Sequence, residues 1–211
     1  MLFRFLAIIV FCPLALMAQS APVDPLTLPA QDQHENLLIA ADPYVSASRY
    51  EKEQFGKKSP YEAGIIAIDV YFRNDNDAPI RLNLNSMRLV VAPPDMERQQ
   101  LEALSAEEVT DRTILDAHAN PTIRRLPLPL PGAKSGKGKA WDEMATTLRS
   151  VALSTDILPP HATTHGFVFF DLDHQFNAIR HSQLYIPDLS FMTNHKALFF
   201  FEIELGQKPR N

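Results

Sequence analysis

The chain has 211 residues, a formal charge of −5 at pH 7 and 45% hydrophobic residues. That length fits one domain able to bury a core without covalent staples. The acidic balance argues against nucleic acid or anionic lipid as the main partner, and a lone cysteine, Cys12, excludes an internal disulfide.

Residues 1–20 carry one charge, Arg4, ahead of an apolar run from Phe5 to Met17, and Ala18-Gln19-Ser20 then offers small residues where a signal peptidase reads. Charged start, apolar middle and small-residue exit define a secretory signal peptide, cut before Ala21. The expected location is the periplasm or outside the cell. Cys12 leaves with the signal. Val10 and Phe11 before it are not the small residues of a lipid-attachment box, so no lipid anchor is expected. Past the signal, no apolar run approaches the ~20 residues of a membrane helix, so no membrane span is expected after cleavage.

Residues 21–36 are rich in Pro, Asp and Gln and predict an extended lead-in. The domain proper is expected over 37–206. Leu37–Val45 predicts a strand, with Pro43 marking an edge or bulge. Polar residues from Ser46 to Gly64 predict a long loop. Ile65–Arg73 gives the clearest strand: Ile66, Ile68, Val70 and Phe72 alternate with Ala67, Asp69, Tyr71 and Arg73, so the first set faces a core and the second faces away. Asn74 to Pro79 predicts a turn, because Asn and Asp bond their own backbone and tolerate unusual angles. Ile80–Val91 then predicts two short strands joined by a kink at Ser86.

Residues 95–118 predict a helix, with Ser105 and Glu108 spaced as a capping box. Arg125–Lys139 is Pro-rich and then Gly/Lys-rich, the composition of an exposed linker. Trp141, Met144, Ala145, Leu148, Val151 and Ala152 recur at helical spacing, and Pro159-Pro160 is expected to stop that helix. Strands return at Gly166–Leu172, Gln183–Ile186 and Ala197–Leu205, the last with Phe199, Phe201, Ile203 and Leu205 on one face and Glu202 and Glu204 opposite. The predicted fold class is mainly β: an antiparallel sandwich with a helical and linker insertion at about 95–155.

Chemistry-bearing residues are sparse. His161, His165, Asp171 and Asp173 have the ligand types of a zinc site, which would make the chain a metal-dependent enzyme. Their spacing opposes it, since the prolines before His161 prevent the helical turn that would bring it onto His165. The expectation is no metal and no cofactor. Gly132 to Gly138 falls one residue short of phosphate-loop spacing. With no thiol and no Gly-x-Ser-x-Gly elbow, no catalytic residues are assigned. Aromatic residues at Phe167, Phe169 and Phe170, and again at Phe199, Phe200 and Phe201, place rings on both faces of two strands. One face is the core; the other is covered by the helix carrying Trp141, Met144 and Leu148, or it is an exposed partner patch.

The stretches IIAIDVYFRNDNDAPIRLNLNSMRLVV (65–91) and LPPHATTHGFVFFDLDHQFNAIRHSQLYIPDL (158–189) resemble exported bacterial immunoglobulin-like domains of unknown function. The likeness lies in Phe72-Arg73-Asn74 running through a polar turn to Pro79-Ile80, and in Leu158-Pro159-Pro160 leading to Gly166-Phe167-Val168-Phe169. It spans about 37–91 and 157–206 and implies a scaffold or binding module, with no catalytic residues to transfer. The expected function is therefore a non-catalytic binding or scaffold role in the cell envelope, through an aromatic patch or strand edge on a protein partner. The alternatives are the metal-dependent enzyme and a chaperone-like assembly factor that accepts a peptide strand at an open edge.

Intact mass of the exported protein should correspond to a chain beginning at Ala21. An exported product that keeps Cys12 would contradict the signal peptide.

Overall fold

The longest strand, β3 (Ile65–Asn74), is buried along its length from Ile65 to Phe72. A strand can be buried on both faces only if something packs on each side, and this requirement organises the chain. The computed structural model describes residues 23–53, 55, 58–94, 97–115 and 138–206. In it, β1 (Ala30–His34), β2 (Leu37–Pro43), β3 and β8 (Thr163–Asp171) form an antiparallel sheet in the order β1-β2-β3-β8. A second antiparallel sheet runs β11-β9-β5-β6, from β5 (Arg88–Val91), β6 (Gln99–Glu102), β9 (Ser182–Ile186) and β11 (Phe201–Glu204). A short ribbon of β10 (Ser190–Phe191), β4 (Ile80–Arg81) and β7 (Ile157–Leu158) closes one end. The chain is thus mainly β.

The two four-stranded sheets share one core. Ile66, Ile68, Val70 and Phe72 of β3, with Ile39, Val168 and Phe170 beside them, meet Leu89, Leu184, Ile186, Phe201 and Ile203 of the other sheet. Each such side chain contributes about 1.5–3 kcal/mol by leaving water. His34 stacks on Phe201 with ring centroids 3.7 Å apart and closes the seam between β1 and β11.

The other face of the first sheet carries a second core. There Ile65, Ala67, Phe167 and Phe169 pack against Tyr50 of α1 (Ala47–Glu53), Val109 of α2 (Ala106–Leu115), and Met144 and Leu148 of α3 (Lys139–Val151). The capping box forms: Ser105 N–H donates to the Glu108 carboxylate at 2.9 Å, and Glu108 N–H donates back to Ser105 Oγ at 3.2 Å. The Ser105 N–H first, and the Ser105 hydroxyl donating at 2.8 Å second, hold the Glu108 carboxyl below its ordinary range.

Several expectations need correction. The lead-in holds β1, so β2 is not an edge; Pro43 lies past Ala41, where β1 pairing ends, and its missing N–H costs no bond to β1. The expected loop after β2 holds α1. Beyond Pro43 the β2 side of β3 has no strand partner, and the Tyr50 hydroxyl takes that place, accepting from Ala67 N–H at 2.7 Å and donating to Ile65 C=O at 3.1 Å. Residues 99–102 are a strand rather than the start of a helix, because they pair with β5. Helix α3 ends at Val151, before the prolines, where Leu153 N–H turns to bond Phe167 C=O on the edge of β8. The last strand starts at Phe201, not Ala197. The linker lies outside the described residues apart from Gly138 and Lys139.

Gly166 sits where α3 leads into that edge: a Cβ there would meet Leu153 N and Cα at 2.7 Å, backbone against backbone. Gly166→Ala is expected to destabilise by about 1–3 kcal/mol through overpacking, and Val70→Asp to prevent folding by burying an unpaired charge. Urea denaturation measures the first and circular dichroism the second. An unshifted midpoint for Gly166→Ala would contradict the seam.

Candidate functional site

On the outer face of the first sheet, toward the ends of β3 and β8 not covered by helices, polar side chains replace the apolar ones. Strand register sets Tyr71 opposite His165, and Asp69 between Asp42 and Phe167. Asp69 is only 5% exposed. A buried carboxylate requires donors, and it has two: the Tyr71 hydroxyl donates to Oδ2 at 2.7 Å, and His165 Nδ1 lies 3.1 Å from Oδ1. The half-exposed His165 ring faces Asp69 through Nδ1 and turns Nε2 away from it. The two rings stack at 4.8 Å and 6°. Burial first, and the bond to Asp69 second, push the Tyr71 hydroxyl well above the usual tyrosine range.

Beside this trio, Arg49 grips Asp42 with two bonds of 2.7 and 2.6 Å and lies over the Tyr44 ring at 3.8 Å. The Asp42 bonds are the main reason its guanidinium is held more firmly charged than usual. The Tyr44 hydroxyl donates to Glu53 at 3.0 Å. The arrangement fixes α1 to the sheet and orients one imidazole. Among the described residues, no side chain bonds to its Nε2.

The four residues of the metal reading go separate ways. His161 bonds Asp77 across a turn at 2.9 Å. His165 belongs to Asp69. Asp171 pairs with Arg112 of α2 and accepts the Asp173 N–H at 2.9 Å. Asp173 and His174 have positive φ beyond the end of β8. His165 and Asp171 are six residues apart on one extended strand, about 20 Å. Among the described residues no group of three or more His, Cys, Asp or Glu could hold a metal ion. His165 thus ties β8 to β3, and Asp171 ties β8 to α2. The Gly132–Gly138 loop lies outside the described residues, except Gly138 at the start of α3.

The aromatic signal divides three ways. Phe170 and Phe201 fill the first core, and Phe167 and Phe169 the second. Phe199, expected on the buried face, is instead 73% exposed, and Phe200 is 51% exposed. Both precede β11, where the chain follows the carboxylate of Glu35, which accepts the Phe199 N–H at 2.8 Å. Phe200 leans on Tyr185 of β9, with ring centroids 5.5 Å apart. The sequence reading missed the Asp69 trio because it set Asp69 and Tyr71 toward solvent. The signal was a Tyr and an Asp within the stretch Ile65–Phe72, otherwise apolar on both faces, but their partner His165 emerges only from register.

No family model matches the chain, and no curated protein matches it. Among solved structures it is similar to a functionally unknown protein from Listeria monocytogenes EGD-e, at 14% identity over 74% of this chain and 68% of that one, with a TM-score of 0.34. At that score the likeness carries no argument about fold or activity. No helix among the described residues is long and apolar enough to cross a membrane.

Tyr71→Phe should destabilise the protein by about 1–3 kcal/mol, the cost of removing a donor from a buried carboxylate. Tyr71→Ser should cost more, and His165→Ala less, because that ring is half exposed. Chemical denaturation of the three variants gives the order. A silent Tyr71→Phe would contradict the network.

Proposed function

We propose that the chain is an exported, non-catalytic binding or scaffold domain of the bacterial cell envelope, of the immunoglobulin-like sandwich class with a helical insertion between its halves. Two antiparallel sheets around one core, with α2 and α3 lying in sequence between β6 and β7, support the class. The N-terminal signal segment supports the location. The observation that carries the functional reading is the adjacent pair Phe199-Phe200: two large apolar rings held out in solvent next to a strand, in a chain whose other phenylalanines from Phe55 to Phe201 are covered or half-covered. Exposed aromatic clusters of this kind mark partner surfaces.

Strand addition is a weaker reading. The edge of β8 is occupied by bonds from Leu104 and Leu153. The edge strand β6 is four residues long, with Gln99, Gln100 and Glu102 exposed, and short polar edges discourage pairing. The oriented imidazole of His165 supports no reaction without a second group at Nε2.

A photo-crosslinking residue placed at position 200 should trap a partner in the envelope of living cells, whereas the same residue at position 58, beside α1, should not. Equal trapping at both positions, or recovery of the protein only from the cytoplasm, would contradict the reading.

A further inference from the structure

The face beside Phe199 and Phe200 has a definite chemistry. Along the second sheet, side chains alternate between the core and the outside. Register places the outward ones in two rows across the four strands. One row reads Glu202, Tyr185, Arg88, Glu102; the other reads Glu204, Gln183, Val90, Gln100, of which Val90 is covered. Opposite neighbours in such rows stand about 5 Å apart at Cβ. Phe200 extends the first row by leaning on Tyr185. Three carboxylates therefore share this face with one guanidinium. Arg88 is already engaged: it bonds Glu102 at 3.1 Å and the carbonyls of Asn85 and Met87 at 2.7 and 2.8 Å. Gln183 donates to Glu204. Among the described residues, no cation pairs with Glu202, which stands opposite Tyr185 and next but one to Phe200.

Resting on the binding reading above, we propose that this face docks a basic polypeptide segment of a partner protein, an arginine side chain settling between the Phe200–Tyr185 rings and the Glu202 carboxylate. Aromatic faces attract guanidinium groups and tolerate their flat, weakly hydrated planes. A carboxylate alongside neutralises the charge and fixes its position. Other occupants fit worse. A purely apolar partner would strip water from Glu202 and Glu204 without replacing it. An anionic lipid or nucleic acid meets like charge. A second copy of this chain brings an acidic excess of its own, with formal charge −5. The contact is small and open, so it should be weak and salt-dependent.

The test uses the exported chain with a short Arg–Gly repeat peptide, and a Glu–Gly repeat of equal length as counter-probe, followed by titration calorimetry and amide shift mapping. The Arg–Gly peptide should bind, more weakly at raised salt, with shifts centred on Tyr185 and 199–202. Phe200→Ser and Glu202→Gln should each weaken it by about fivefold, the effect of losing close to 1 kcal/mol. Glu51→Gln, on α1, should leave it unchanged. Equal binding of both peptides, binding insensitive to Phe200→Ser and Glu202→Gln, or no binding would overturn the proposal. If crosslinking at position 200 still traps a partner while the Arg–Gly peptide fails, only the basic-segment proposal falls. If both fail, the binding reading falls with it.

Discussion

The burial of both faces of β3 is the constraint on which the rest depends. A ten-residue strand that alternates Ile66, Ile68, Val70 and Phe72 with Ile65, Ala67, Asp69 and Tyr71 leaves no face for solvent. One face requires the second sheet. The other requires a cover, which α1, α2 and α3 supply over the half where Phe167 and Phe169 lie. The helices are thus part of the domain's core and not an appendage to it. The chain that leads into and out of them is stitched to the β8 edge through Leu104 and Leu153.

Where the helices stop, the outer face turns polar: Asp69 and Tyr71 stay buried, while His165 is half exposed. Asp69 is buried there, and the Tyr71 hydroxyl and His165 imidazole offset its desolvation. The neighbouring Asp42 takes the bidentate Arg49, and Arg49 in turn lies against Tyr44, which belongs to the second core. One network therefore joins the polar end of the sheet to the apolar end. This is a sufficient physical reason for these residues and assigns them no chemistry beyond it.

The alternation of β3, the Asn74 turn, the kink before Met87 and the Ser105–Glu108 cap were legible because each is a local pattern with a local cause. What escaped was set by partners far away in sequence. Tyr50 looked like a loop residue, yet its hydroxyl completes hydrogen bonds that β2 no longer reaches. Gln-rich 30–34 became a strand because Leu37–Ala41 offered a free edge across a tight turn. Phe199 broke its alternation because the Glu35 carboxylate takes the backbone N–H before the ladder with β9 begins at Phe201. The exposed pair Phe199-Phe200 was visible as an aromatic run, but its exposure depended on where that strand started. The histidines' dispersal likewise followed from strand register and turns, which composition does not encode.

Amide hydrogen exchange tests the two-sided burial of β3 most directly. Slowest exchange is expected at the β3 amides from Ile66 to Phe72 and at their β8 partners, with an opening free energy equal to that of global unfolding. Exchange in β3 as fast as in the exposed strand β6, while the second sheet stays protected, would mean that the helices do not cover the outer face, and would contradict the account.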